Sequence, residues 1–110
     1  MSETSSLTVA TLEQLVGREF APTDWITIDQ PRINQFADCT GDQQFIHVDP
    51  ERVARETPFP RTLAHGFLLL SLAAGHRQRD FPKVGDVALV LNYGMDKVRF
   101  TSPVFSGSRV

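Results

Sequence analysis

The pattern of apolar and polar positions predicts a helix and a strand in the first part of the chain. Residues 7–16 carry apolar side chains at helical spacing, so a short helix is expected there. Thr11 is its expected N-cap, and Gly17 is expected to end it. Residues 24–28 are rich in β-branched and aromatic side chains, which favour a strand.

Two further helices are predicted, each introduced by an acidic residue and a proline. Residues 29–38 place a proline near the first helical position and apolar residues at helical spacing, and Gly41 is expected to close this helix. The next helix begins after Asp49, which is an N-cap acid followed by a proline. Its apolar residues, Val53 and Ala54, are expected to point inward.

The second half of the chain predicts one buried helix followed by strands. Residues 63–77 are apolar on nearly every side, as in a helix that lies in the middle of a domain. Residues 87–93 form an apolar run and residues 96–100 alternate polar and apolar, which predicts two strands separated by Gly94. Residues 104–110 predict a turn and the beginning of another strand. This order indicates an α+β fold in which an antiparallel sheet packs around a helix.

Composition narrows the class of protein. A length of 110 residues fits one domain with a single modest core, and a formal net charge of -2 gives no reason to expect nucleic acid. The apolar run at 67–74 is shorter than the ~20 residues that a membrane span needs. Cys39 is the single cysteine, which fits a reducing compartment. We therefore expect one cytoplasmic domain over residues 1–110 that binds no membrane, with residues 1–6 polar and disordered.

Residues 40–49 contain the candidate chemistry. Asp42 follows a glycine that can turn the backbone sharply, and it lies beyond a helix end, in a loop. His47 is expected in the same loop or at its extended end. A carboxylate and an imidazole that converge on one small space are suited to acid–base chemistry on a bound water. The histidines are spread along the sequence without cysteines, so no metal-ligand spacing is present.

Each of these residues also has a structural interpretation. Asp42 alone is typical of a turn, and His47 could be a loop histidine that bonds its neighbours. His65 either orients the loop or is a buried histidine that bonds a backbone carbonyl. Gly66 permits a close approach, either of a ligand or of the sheet to the helix, and the sequence does not separate the two.

Taken together, the motifs resemble the MaoC-like dehydratases, which include R-specific enoyl-CoA hydratases and nodulation-protein-N-like proteins. The resemblance covers residues 24–110 and rests on three ordered blocks. The blocks are Phe36-Ala37-x-x-Thr40-Gly41-Asp42-x-x-x-x-His47-x-Asp49-Pro50, then Ala64-His65-Gly66-Phe67-Leu68, then Asn92-Tyr93-Gly94 with Val98-Arg99-Phe100-x-x-Pro103-Val104.

This resemblance implies a hotdog fold, in which an antiparallel sheet wraps a long central helix, and a homodimer. It implies reversible syn addition of water to trans-2-enoyl-CoA, which gives (R)-3-hydroxyacyl-CoA without a metal or another cofactor. Asp42 and His47 would hold and activate the water, and the backbone N–H of Gly66 would stabilise enolate charge on the thioester carbonyl. Further substrate contacts are expected at Gly41, Gln44, His65 and Phe67.

Two departures from the family pattern motivate a second hypothesis. Gln44-Phe45 stands where hydratases of this family usually carry Asn-Pro, and it resembles the nodulation-protein-N-like branch instead. The chain also looks shorter than a complete hotdog, whose last strands we expect to be missing. The alternative is a non-catalytic module for acyl-CoA binding or subunit assembly, or an inactive fragment. A hotdog thioesterase ranks last, because residues 63–79 contain no acidic side chain.

Overall fold

The computed structural model describes residues 7–76 and 82–110, and the chain divides into two compact units. The first unit is formed by residues 1–23 and 77–98, and the second by Asp24–His76 and Arg99–Val110. The predicted disorder of residues 1–6 and the predicted helix end at Arg77 lie outside the described residues. No helix in the described ranges is long and apolar enough to cross a bilayer.

The first unit begins with a 3₁₀ helix, Val9–Leu15. A helix was expected here, but its N-cap is Thr8 and not Thr11. Thr11 lies one turn inside the helix, where its hydroxyl accepts a hydrogen bond from the Thr8 backbone N–H at 2.9 Å. The start of the helix is attached to the later part of this unit, because the Val9 N–H donates to an Asp86 carboxylate oxygen at 3.0 Å.

The two strands predicted from the apolar runs are not formed. Residues 87–93 and 96–100 have no strand pairing, and the exposed fractions of Leu89 and Leu91 are 68% and 79%. A strand is stabilised by backbone hydrogen bonds to a neighbour, and β propensity alone does not supply them. The strand prediction is therefore wrong for these residues of the described chain.

A small antiparallel sheet lies at one side of the second unit. Strand β1 (Thr27–Ile28) pairs with strand β2 (Ser108–Arg109), so that the last residue of β1 lies opposite the first residue of β2. Ile26 and Val110 extend the pairing with reciprocal N–H to carbonyl bonds of 2.8 and 2.9 Å. The strand predicted over 24–28 is confirmed in its last residues, and so is the strand predicted at the end of the chain.

Helix α1 (Gln30–Thr40) follows β1 and leads to the candidate site. The Asp29 carboxylate caps it by accepting the Arg32 N–H at 3.0 Å. Gly41 ends it with φ 82°, a left-handed conformation that glycine adopts without steric cost, and donates its N–H to the Ala37 carbonyl at 2.8 Å. Both predicted ends of this helix are confirmed, and Asp42 leaves it in a loop.

Helix α2 (Phe45–Val48) is a single turn, and helix α3 (Pro50–Glu56) follows it directly. Asp49 caps α3 as predicted, because its carboxylate accepts the Arg52 N–H at 3.1 Å. Val53 is fully buried, but Ala54 is exposed, so its predicted inward position is wrong. One face of this short helix packs on the unit, and Ala54 lies outside that face.

Helix α4 (Gly66–Leu72) replaces the long buried helix that the sequence predicts over 63–77. Leu68 is the buried residue of this helix, and the exposed fraction of Phe67 is 66%. A helix that is apolar on every side stays buried only where other elements surround it. The two short strands of the second unit do not surround α4, so the prediction of a long central helix is wrong for the described residues.

The core of the second unit joins β1, α1 and α4. Its fully packed members come from all three elements and from the extended segment before α4: Ile28, Ile33, Ala64 and Leu68. Helices together with an antiparallel sheet confirm the α+β class. Because Ala64 is a member of this core, the core packs against the segment that carries His65 and Gly66.

Candidate active site

Three side chains that are distant in the sequence meet in the second unit. Asp42, His47 and His65 each offer one ligand atom, and these atoms lie within 4.8 Å of one another. The two imidazoles are buried, with exposed fractions of 8% for His47 and 3% for His65, whereas Asp42 is exposed. The structure thus brings together the two residues predicted for acid–base chemistry and adds the second imidazole.

His47 lies in α2 and not in the predicted loop. The turn forms because the Asp49 N–H donates to the Phe45 carbonyl at 3.0 Å. The Nδ1 atom of His47 lies 2.7 Å from the Leu63 carbonyl oxygen. Since a carbonyl oxygen only accepts, Nδ1 must carry the hydrogen, and Nε2 of the neutral ring then carries a lone pair.

A buried polar network, which sequence reasoning missed, holds the backbone around His47. The Gln30 side-chain Nε2 donates to the His47 carbonyl at 2.7 Å, and its Oε1 accepts the hydroxyl hydrogen of Thr62. Thr62 is 1% exposed. The Leu63 N–H donates to the Ile46 carbonyl at 2.9 Å, so both the N–H and the carbonyl of Leu63 are bonded to residues of α2. A glutamine in the first turn of a helix gives no signal of this role in the sequence.

Asp42 is held by two hydrogen bonds of its backbone and one of its carboxylate. Its N–H donates to the Thr40 hydroxyl at 3.3 Å, and one carboxylate oxygen accepts the Gln44 N–H at 3.4 Å. Its carbonyl accepts a hydrogen bond from His65 Nε2 at 3.0 Å. The other predicted residues of this loop, Gly41 and Gln44, contribute to its backbone geometry, since the Gln44 carbonyl also accepts the His47 N–H at 3.0 Å.

Gly66 is the first residue of α4, and an aromatic ring explains why no side chain fits there. A Cβ atom added to Gly66 would lie 2.6 Å from the Phe100 ring. Phe67 contacts the same ring edge-on, with 5.4 Å between the ring centroids. The Leu68 N–H donates to the His65 carbonyl at 3.0 Å, so helical bonding begins after Gly66. Among the described residues, none accepts a hydrogen bond from the Gly66 N–H.

A cavity of about 570 Å³ opens beside Gly66. This size is within the range of small-molecule sites, which are mostly apolar with a few polar groups. Its wall is formed by Phe59, by the segment around Gly66 and by residues 100–104. The cavity therefore borders Leu63 and Gly66, whereas Asp42, His47 and His65 do not line it.

The same three side chains are the residues that could hold a metal ion. Each imidazole donates one ring N–H to a backbone carbonyl, as metal-binding histidines do. However, the rings of His47 and His65 are stacked, with centroids 3.8 Å apart and 19° between their planes. Lone pairs lie in the ring planes, so those of stacked rings run side by side and do not converge on one ion. The arrangement therefore suits acid–base chemistry better than metal binding.

Comparison with known proteins identifies the family. The sequence profile described as "MaoC like domain" matches residues 11–110. Nodulation protein N of Rhizobium leguminosarum bv. viciae is 51% identical over 104 residues, covering 94% of this chain and 65% of that protein. The 3-hydroxyacyl-thioester dehydratase Z of Mycobacterium tuberculosis is 50% identical over 102 residues, covering 93% of this chain and 66% of that protein. The chain therefore belongs to the MaoC-like domain family, and it spans slightly less than two thirds of these relatives.

Proposed function

We propose that the chain catalyses reversible syn hydration of trans-2-enoyl thioesters, with CoA as the carrier and (R)-3-hydroxyacyl thioesters as products. The observation that carries the proposal is the placement of the Asp42 carboxylate within 4.8 Å of a buried imidazole whose Nδ1 is bonded to a carbonyl. A histidine fixed in this way has its basic nitrogen free. Such a nitrogen can take a proton from a bound water.

In the hydration direction, His47 Nε2 removes a proton from a water that the Asp42 carboxylate also binds. The hydroxyl adds to C3 of the enoyl group, and the electron pair of the double bond moves onto the thioester carbonyl as an enolate. The proton then passes from the Asp42/His47 pair to C2 on the same face, which restores the thioester. Acid–base assistance of this kind contributes on the order of 10²–10⁴ in rate.

In this proposal the backbone N–H of Gly66 donates a hydrogen bond to the enolate oxygen. A donor aimed at the position where charge develops typically lowers the barrier by roughly 3–4 kcal/mol. This assignment is supported by the free N–H at the start of α4 and by the cavity beside it. The cavity wall is largely apolar, which suits the acyl part of the substrate.

The comparisons support the substrate class. One relative is named as a dehydratase of 3-hydroxyacyl thioesters, and this chain is 50% identical to it. We extend the proposal to the hotdog topology and the homodimer that the family resemblance implies, without a metal or other cofactor. Size-exclusion chromatography with light scattering tests the dimer, and a monomeric mass would contradict the proposed homodimer.

Hydration of crotonyl-CoA, followed by loss of the enoyl absorbance, tests the reaction. We expect turnover by the wild-type chain and a loss of about 10²-fold or more in kcat for Asp42→Asn and for His47→Gln. Activity that survives both substitutions would overturn the assignment.

Matched control variants are available outside the site. His76 is exposed and bonds only the Leu72 carbonyl at 3.2 Å among the described contacts, so His76→Gln should leave kcat unchanged. Asp96 is an exposed carboxylate in the first unit, and Asp96→Asn should behave in the same way. Equal losses in the control and site variants would show that the assay responds to folding and not to chemistry.

A second candidate function is acyl-thioester binding without turnover. It is favoured by the Phe100 ring, which lies against Gly66 and occupies part of the space next to the proposed oxyanion donor. Calorimetry with a non-hydratable acyl-CoA separates the two functions. Binding without hydration, in a chain that melts cooperatively, supports this candidate.

A further inference from the structure

His65 contacts every part of the proposed site, although it has no assigned chemical step. Its ring bonds the loop that carries Asp42, stacks on the imidazole of His47, and precedes Gly66 in the chain. We propose that His65 is a positioning residue, which fixes the Asp42 loop by a hydrogen bond and the His47 ring plane by stacking. This inference rests on the proposed function of Asp42 and His47.

The hydrogen bond acts on the exposed partner of the pair. Asp42 is exposed, and its own side-chain bond to the Gln44 N–H is long, at 3.4 Å. The bond from His65 Nε2 to the Asp42 carbonyl is shorter, at 3.0 Å, and its donor is buried. It joins the loop after α1 to the segment before α4. It therefore fixes the backbone position from which the Asp42 side chain extends.

The stacking acts on the orientation of His47. One face of the His65 ring lies on the His47 ring at 3.8 Å, and Phe36 contacts the His65 ring at 4.9 Å between centroids. The Leu63 carbonyl holds one nitrogen of His47, but a single hydrogen bond leaves the ring free to rock about it. A stacked neighbour removes this freedom, and preorganisation of this kind determines how well a base is aimed.

The unused nitrogen of His65 supports a role in positioning. Because Nε2 donates to a carbonyl, Nδ1 carries the lone pair, and this buried atom has no hydrogen-bond partner among the described residues. An unsatisfied buried acceptor destabilises a fold, so replacing it by an apolar atom is not costly in itself. A phenylalanine at 65 therefore keeps an aromatic ring beside Phe36 and His47 while it loses the donor.

Two single substitutions separate the hydrogen bond from the stacking. His65→Phe keeps a ring for stacking and removes the donor to Asp42. His65→Gln keeps a donor at about the position of Nε2 and removes the ring. His65→Leu removes both the donor and the ring, and it serves as the reference for the loss of both contacts.

The experiment combines imidazole ¹⁵N–¹H correlation spectra, amide hydrogen exchange and crotonyl-CoA kinetics on the full chain. For His65→Phe we expect faster exchange of the Gln43 and Gln44 amides while His47 stays protonated at Nδ1. For His65→Gln we expect protected loop amides and a mixture of His47 tautomers. Both should lower kcat by about 10-fold with little change in KM, and His65→Leu by about 10²-fold.

A purely structural role predicts a different result. It predicts lower stability and lower kcat together in all three variants, with no separation between the loop and tautomer signals. Unchanged loop exchange and kcat in a folded His65→Phe chain overturn the inference. Where that variant does not fold, the wild-type spectrum and His65→Gln decide, because a wild-type His65 protonated at Nδ1 contradicts the proposed bond.

The inference and the proposed function fail in distinguishable ways. The tautomer and exchange signals are measured on the ligand-free chain and need no turnover. A wild-type chain that does not hydrate crotonyl-CoA contradicts the proposed function, while the two signals still test whether His65 positions Asp42 and His47.

Discussion

The imidazole and the carboxylate of the proposed acid–base pair are held in opposite ways. His47 is buried, with one nitrogen bonded to the Leu63 carbonyl and its own carbonyl bonded to Gln30. Asp42 is exposed, and short-range backbone contacts and His65 hold its loop. The comparison shows that the base is preorganised by the core, whereas the carboxylate depends on how one loop is anchored.

Among the substitutions that test this difference between Asp42 and His47, the largest effect is expected at the Asp42 carboxylate. Asp42→Glu lengthens the side chain by one methylene and displaces the carboxylate from the water that it is proposed to bind. We therefore expect kcat to fall by about 10²-fold. The thermal midpoint should change little, because residue 42 is exposed. Asp96→Glu, at an exposed carboxylate of the first unit, is the matched control. Full activity of Asp42→Glu would mean that the position of the carboxylate does not matter.

Gly66 provides the next largest effect, on stability. Gly66→Ala places a Cβ about where the Phe100 ring lies, and overpacking of this kind typically costs 1–3 kcal/mol. Urea unfolding measures the loss, and Phe100→Ala in the same chain should recover most of it. Gly75→Ala, where a Cβ would meet nothing within 4 Å, is the control. An equal loss in both glycine variants contradicts the role of Phe100.

Thr62 tests the buried network that supports His47. Thr62→Val removes the hydroxyl that bonds Gln30 Oε1, and we expect the free energy of unfolding to fall by about 1 kcal/mol. Thr27, an exposed residue of β1, gives the control Thr27→Val. Denaturant titration distinguishes them, and an unchanged midpoint for Thr62→Val would mean that the network does not stabilise the unit.

The smallest effect is expected at the surface of α3. Arg52 lies over the Phe45 ring at 4.0 Å and pairs with Glu56 at 3.1 Å, with both side chains 46% exposed. Glu56→Gln should change stability by less than about 0.5 kcal/mol and leave kcat unchanged, because exposed ion pairs are screened by solvent. A marked loss of activity would show that this pair helps to orient α2.

The features that were predictable from the sequence depend on neighbours along the chain. Asp29 and Gly41 bound α1 because capping involves residues within one turn, and Asp42 follows from that helix end. The family resemblance, carried by the blocks around Asp42 and Gly66, is confirmed by the matching profile.

The remaining features depend on contacts between distant segments. His65 gives no sign in the sequence that it stacks on His47, and Phe100 gives none that it lies against Gly66. Residues 87–93 have β propensity but no neighbouring strand among the described residues. The described elements of the second unit do not surround α4 as a long buried helix requires. Local pattern alone does not encode such partners.

A double-mutant cycle on crotonyl-CoA hydration tests the central claim most directly, because it asks whether Asp42 and His47 act on the same water. When two groups act as one unit, the effects of substituting each of them are strongly non-additive. We therefore expect the Asp42→Asn, His47→Gln double variant to have about the same kcat as the slower single variant. Losses that multiply, or a double variant that still turns over at the wild-type rate, would contradict the account.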